Sequence, residues 1–97
     1  SAAGQAAGCV AMRPLAQGVC EMKRLYVRPS HLGRGLGKKL ALRVIESART
    51  AGYARMRLDT LEKLRPALSL YTGLGFLTCT PYYENPLSGV VYMEMAL

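Results

Sequence analysis

The chain has no tryptophan, one phenylalanine, one histidine and only 6 acidic residues among its 97. His31 has no second imidazole with which to share a metal and no Asp or Ser at triad-like spacing. It reads as a loop residue at the surface, and no metal is expected. The few aromatics exclude a base-stacking platform, since the tyrosines are not interleaved with the basic residues, so nucleic acid is not an expected partner. Cys9, Cys20 and Cys79 are odd in number and without CxxC spacing. That pattern builds neither a disulfide framework nor a structural zinc site, and it points to reduced core thiols in a cytoplasmic protein. No apolar run approaches the ~18 residues of a membrane span, and the opening SAAGQAAG lacks the basic and apolar regions of a signal peptide. No membrane partner is therefore expected. The first residue is Ser1, not Met, which leaves open a removed initiator or an incomplete start.

What is present is a chain that is 51% hydrophobic, enough for one modest core and one domain, and too short for a two-domain enzyme. Lys and Arg number 13, giving a net charge of +7 that favours an anionic partner such as a phosphorylated cofactor. Residues 8 to 15 and 19 to 28 are strand-like and flank the turn-like Ala16-Gln17-Gly18, which predicts a hairpin stopped by Pro29 and Ser30. From Leu36 the period becomes helical, with Leu40, Val44, Ile45 and Ala48 on one face and Gly52 as the cap. RMRLDTL from Arg55 alternates Met56 and Leu58 inward with Arg57 and Asp59 outward. Pro66 suits the first turn of a second helix that carries Ala67, Leu70, Tyr71 and Leu74 and ends at Gly73 and Gly75. Strands near 76 to 83 and 90 to 97 complete the order β-β-α-β-α-β-β, an α+β unit. The methionines, all on predicted strands, are expected in the core.

The segment His31-Leu32-Gly33-Arg34-Gly35-Leu36-Gly37-Lys38-Lys39 places three alternating glycines between a strand end and a helix start. Backbone N–H groups can turn inward there without Cβ obstruction, and the first helical turn adds free donors and partial positive charge, which suits a pyrophosphate. Seven of the 13 basic residues lie between positions 21 and 43, against one acid, Glu21. A Walker loop would need Gly where Leu32 stands and Ser or Thr at Lys39. A dinucleotide fingerprint meets Lys38 or Leu40 where its third glycine belongs, so both nucleotide motifs are rejected.

MKRLYVRPSHLGRGLGKKL, ARMRLDTL and ALSLYTGLGF together resemble the GNAT superfamily of acyl-CoA N-acyltransferases over almost the whole chain. The resemblance implies a mixed, mainly antiparallel sheet flanked by helices, with the usual N-terminal strand and helices missing, so a single domain over 1–97 reads as incomplete at its start. It implies acetyl-CoA as cosubstrate, contacted at Leu32, the signature's first position, and held by backbone donors of Gly33, Arg34, Gly35, Leu36, Gly37 and Lys38. Leu32 departs from the polar first position of the signature, and Leu64 stands where the family often has an Asn contacting the pantetheine arm. The family holds the thioester carbonyl on the splayed strand before the signature, here Leu25, Tyr26 and Val27, whose N–H groups can serve as oxyanion donors.

The same resemblance makes Glu21, eleven residues before Leu32, the general base, and Tyr71 of the LYxxxGF pattern the general acid. A carboxylate is a weak base for an ammonium acceptor, so Glu21 needs burial or a relaying water. Lys23, on the same strand face if no bulge intervenes, would favour the charged carboxylate. The opposing reading of Glu21 is an exposed carboxylate in a cross-strand ion pair. Tyr82, Tyr83 and Asn85 fall where the family lines its acceptor site. The implied activity is acetyl transfer from acetyl-CoA to a primary amine, small molecule or protein, in a ternary complex. A noncatalytic CoA-binding or interaction module with the same fold is the other reading. Residues 8 to 12 carry no Pro and no charge, so the first strand's free edge predicts self-association or a longer polypeptide that covers it, and the resemblance adds a homodimer through the final strand.

Overall fold

The computed structural model describes residues 8–27 and 35–97, apart from the side chains of Cys9, Arg24 and Val27. Strands β1 (Gly8–Ala16) and β2 (Val19–Val27) form the expected antiparallel hairpin. Its turn is Gln17-Gly18, with Gly18 at φ 74, a conformation that glycine adopts without Cβ strain. The Gly18 carbonyl accepts from the N–H groups of Ala54 (2.8 Å) and Arg55 (3.1 Å), so the hairpin end is tied to the start of the next strand. Helix α1 (Leu36–Thr50) follows, then β3 (Arg55–Leu61), α2 (Arg65–Leu74), β4 (Leu77–Thr78) and β5 (Val90–Ala96). The helix cap is Ala51, and Gly52 follows it at φ 92. Among the described residues no helix is long and apolar enough to cross a membrane.

The sheet order is β1-β2-β3-β5-β4, mainly antiparallel with one parallel junction, β2 to β3. Alternation gives the sheet two unlike faces. On one, Cys20, Met22, Met56, Leu58, Met93 and Met95 pack against Ala41, Val44, Ile45 and Ala48 of α1, Tyr71 of α2 and Phe76, all in one core. Met12 is partly buried against that core, so all five methionines contribute as the sequence predicts.

The strand expected over 76 to 83 shrinks to Leu77–Thr78. One further ladder bond runs from the Cys79 N–H to the Tyr92 carbonyl (2.8 Å), after which Pro81 has no N–H to donate. The chain then turns over the sheet instead of along its edge, because Tyr82 and Tyr83 reach down to carboxylates on the strands.

The parallel junction positions the site. Pairing of β2 with β3 covers only Val19–Arg55, Cys20–Met56 and Glu21–Arg57, whereas β3 and β5 pair over seven residues, from Arg55–Ala96 to Leu61–Val90. Past Glu21 the two strands separate. On its other side β2 carries a bulge: Ala11 pairs with Lys23 and Cys9 with Tyr26, so Arg24 and Leu25 together face Val10. The bulge falls just beyond Lys23, which therefore keeps the face of Glu21, while Leu25 turns to the helix side and packs against the core.

Candidate active site

Between the separated strands lies a cavity of about 350 Å³ lined by residues from both sheet faces. Its helix side is formed by Met22, Leu25, Leu64, Ala67 and Tyr71, and its opposite side by Lys23, Asp59 and Asn85. Tyr71 is placed there by the way α2 ends. Gly75, at φ 107, lets the Phe76 N–H reach the Tyr71 carbonyl (3.0 Å) and its own N–H reach that of Thr72 (3.1 Å), a Schellman ending. The same ending brings Phe76 onto Tyr71 with ring centroids 5.8 Å apart. The spacing Tyr71, Gly75, Phe76 is thus a device for fixing one phenol. Burial, and then the charge of Asp59, push the Tyr71 phenol above its ordinary range, so near neutral pH it is a proton donor.

Glu21 is fully buried, which overturns the exposed-carboxylate reading, although the cross-strand ion pair expected with it is present. Arg13, its register partner on β1, donates from Nε to Oε1 at 2.6 Å, and the Tyr82 hydroxyl donates to Oε2 at 2.6 Å. Lys23 Nζ lies 3.6 Å from the same Oε2. Arg57, its neighbour on β3, turns away, with Nε donating to Glu94 Oε1 (3.1 Å) and the guanidinium 5.6 Å from the centre of the Tyr82 ring. Glu21 is therefore held from three sides and does not line the cavity; Lys23 stands between.

The acid that lines the cavity is Asp59, which the alternation of β3 marked only as outward-facing. Asp59 Oδ2 accepts from the Tyr83 hydroxyl at 2.7 Å and from Asn85 Nδ2 at 3.2 Å, while Lys23 Nζ is 3.6 Å from Oδ1. Asn85 also donates to the Tyr83 hydroxyl (3.0 Å) and accepts from the Leu87 N–H (2.9 Å), which closes a local turn. Tyr82, Tyr83 and Tyr92 pack with centroids 5.3 to 5.6 Å apart, and the Tyr92 hydroxyl donates to the Tyr83 carbonyl at 2.8 Å. Burial, then the bond to Glu21, push the Tyr82 phenol far up; burial, then Asp59, push that of Tyr83 up to about 12. Both stay donors at neutral pH, and two adjacent tyrosines thereby stitch one loop to two carboxylates.

Of the residues singled out in the sequence, the structure brings Leu25, Leu64, Tyr71 and Asn85 to the cavity wall. Tyr82 and Tyr83 brace its polar side. Tyr26 and Val27 continue β2, paired with Cys9 and Gly8. Leu32, Gly33 and Arg34 lie outside the described residues. Gly35 precedes α1 at φ 71, with open space where a Cβ would stand. Leu36, Gly37 and Lys38 form the first helical turn, which has neither a side-chain cap nor an acid, so its N–H groups and partial charge remain available to an anion. Sequence reasoning missed Arg13 and Asp59 as members of the site, and took Lys23 only as a neighbour of Glu21. The one signal for Arg13 and Asp59 was that each is a charged residue at an outward strand position. Cys20 and Cys79 have thiols raised by burial, and Cys20 Sγ lies 3.6 Å from the Arg55 carbonyl, so neither resembles an activated nucleophile.

Comparison with known proteins agrees with this geometry. An uncharacterized N-acetyltransferase of Schizosaccharomyces pombe is 50% identical over 95 residues, covering 97% of this chain and 58% of the relative. The chain thus spans little more than half the length of that relative. A Klebsiella pneumoniae structure assigned as an acyl-CoA N-acyltransferase superposes with a TM-score of 0.89 at 37% identity, over 100% of this chain and 68% of that one. A Bacillus subtilis acetyltransferase in complex with CoA shares the fold, with a TM-score of 0.85 at 23% identity over 100% and 73% of the two chains. The acetyltransferase (GNAT) family profile matches residues 1–76, and with those residues the chain belongs to the GNAT acetyltransferase family.

Proposed function

We propose that the protein transfers an acetyl group from acetyl-CoA to a primary amine by direct attack in a ternary complex. The observation that carries this reading is the cavity through the parted strands, with a buried phenol on one side and Lys23, Asp59 and Asn85 on the other. A thioester lying between β2 and β3 would meet N–H groups of Leu25 to Val27 as oxyanion donors, and the glycine-rich approach to α1 would receive the CoA phosphates. The amine approaches from the polar side. As the C–N bond forms and the C–S bond breaks, Tyr71 gives its proton to the departing thiolate. Glu21 is the base of this reading and acts through a water, because Lys23 separates it from the cavity. The same reading places the protein in the cytoplasm, where thiols such as Cys20 and Cys79 stay reduced.

The test uses acetyl-CoA as the ligand. Its addition raises the melting temperature in proportion to ln(1 + [L]/Kd), as mass action requires of a ligand of the native state. Gly35→Glu, which puts a carboxylate on a left-handed residue at the start of α1, removes that rise. An undiminished rise in the variant would take the loop out of the reading, and release of free CoA with no member of an amine panel would overturn the activity.

A further inference from the structure

A second cavity, of about 340 Å³, opens on the same polar sheet face and is lined by Ala11, Met12, Arg13 and Lys23. Among the described residues, the ionisable groups on its wall are two cations. Arg13 commits Nε to Glu21, but its side chain is 59% exposed, which leaves the two terminal nitrogens of the fork without that commitment. Lys23, one-third exposed, lines this cavity and the strand-gap cavity alike, so it forms the wall between them. Across that wall, 3.6 Å from Nζ, lies Asp59. The two adjoining spaces therefore differ in charge: the strand-gap space holds the Asp59 carboxylate, braced by Tyr83 and Asn85, beside Lys23, and the second space holds the Arg13 guanidinium with the same Lys23.

We infer that the acceptor is a small amine bearing a carboxylate on the same or the adjacent carbon, its ammonium drawn to Asp59 and its carboxylate held by Arg13 and Lys23. This rests on the reading of the chain as an N-acetyltransferase and deepens it. The short span follows from Lys23, whose Nζ lies 3.6 Å from Asp59, so that a carboxylate held on Nζ and an ammonium held on Asp59 are close neighbours. Charge balance agrees. Arg13 and Lys23 against Glu21 and Asp59 sum to zero, and a zwitterion adds zero, so binding buries no uncompensated charge. The planar Arg13 fork suits a carboxylate, which can take two parallel N–H donors. A lysine side chain or the N-terminus of a longer peptide has no carboxylate at that distance and leaves the cationic space unused.

The experiment compares, on the full-length protein at saturating acetyl-CoA, an α-amino acid with its carboxamide and with a peptide that begins with the same residue. CoA release is read for each, corrected for its fraction of free amine. The expected kcat/KM favours the amino acid by about tenfold or more, mostly through KM, the scale of one charge-assisted hydrogen bond. Arg13→Gln collapses that ratio toward one, whereas a merely structural fault lowers turnover of every acceptor and leaves the ratio standing. Equal or better turnover of the carboxamide, or a ratio unmoved by Arg13→Gln, would overturn the inference and leave the acetyltransferase reading intact. Turnover of none of the three would overturn both.

Discussion

The two faces of this one sheet are made by alternate residues of the same strands and could hardly differ more. Cys20, Met22, Met56 and Leu58 face the helices and are buried in hydrocarbon and sulfur. Their immediate neighbours Glu21, Lys23, Arg57 and Asp59 face the other way into a web of ion pairs and phenols. The helix face holds by burial, where each fully buried Met or Leu stabilises by roughly 1.5–3 kcal/mol and tolerates exchange among apolar shapes. The polar face holds by geometry. Glu21 must keep Arg13 and Tyr82 because a fully buried carboxylate without partners costs several kcal/mol. Apolar burial is thus concentrated on one face and ionisable groups on the other, with Tyr71 reaching the cavity from the helix side.

The sharpest way to separate the faces is Glu21→Gln. The substitution keeps the shape and removes the charge, so turnover should fall about 10²-fold or more, the scale of a lost general base, with a changed pH profile. Acetyl-CoA affinity, measured by calorimetry, should stay nearly constant; an equal loss of affinity would make Glu21 a structural residue. Next in size is Leu58→Ala on the helix face, which should lower unfolding free energy by about 2–5 kcal/mol in urea titration, since Leu58 is almost wholly enclosed. In the folded fraction, kcat/KM should change little. A large kinetic defect there would show that the faces are coupled through the strands.

The smallest effect is alkaline. Tyr71, Tyr82 and Tyr83 all have phenols raised in the folded state, so between their ordinary value near 10 and their folded values the native chain holds more protons than the unfolded one. Their contribution is therefore complete below about pH 10 and is lost as pH rises through the folded values. The slope has an upper limit of about 1.4 kcal/mol per pH unit for each buried phenol, and Tyr83, more than a third exposed, contributes less because solvent screens it. Urea titrations from pH 9 to 11.5 should show this decline, shallower in Tyr82→Phe. An unchanged slope in that variant would remove Tyr82 from the polar web.

Much of this arrangement was legible in the residues. The helix ending at Gly75, and with it the placement of Tyr71, follows from a local rule, because a left-handed glycine reverses the chain within two residues, whereas Gly73, also expected to end it, stays inside α2. Glu21 and Lys23 sharing a face also follows from strand periodicity. Asp59 was legible as outward but not as a member of the site, because its partners Tyr83, Asn85 and Lys23 lie 24 to 36 residues away along the chain. The over-long strand at 76 to 83 failed for the same reason. Tyr82 and Tyr83 suit a strand, and what removes them from it are carboxylates on two other strands.

Periodicity is a property of neighbouring residues, so the sequence alone determined which side chains share a face, that α2 stops at Gly75 and that a glycine, Gly35, precedes α1. The tertiary structure alone decided that β2 and β3 part after Glu21 and Arg57. That separation depends on a bulge opposite β1 and on the pairing of β3 with β5, contacts between segments far apart in the chain. Until the strands part, Met22 and Lys23 of β2, Asp59 of β3 and Tyr71 of α2 have nothing to share; once they part, all four line a single cavity.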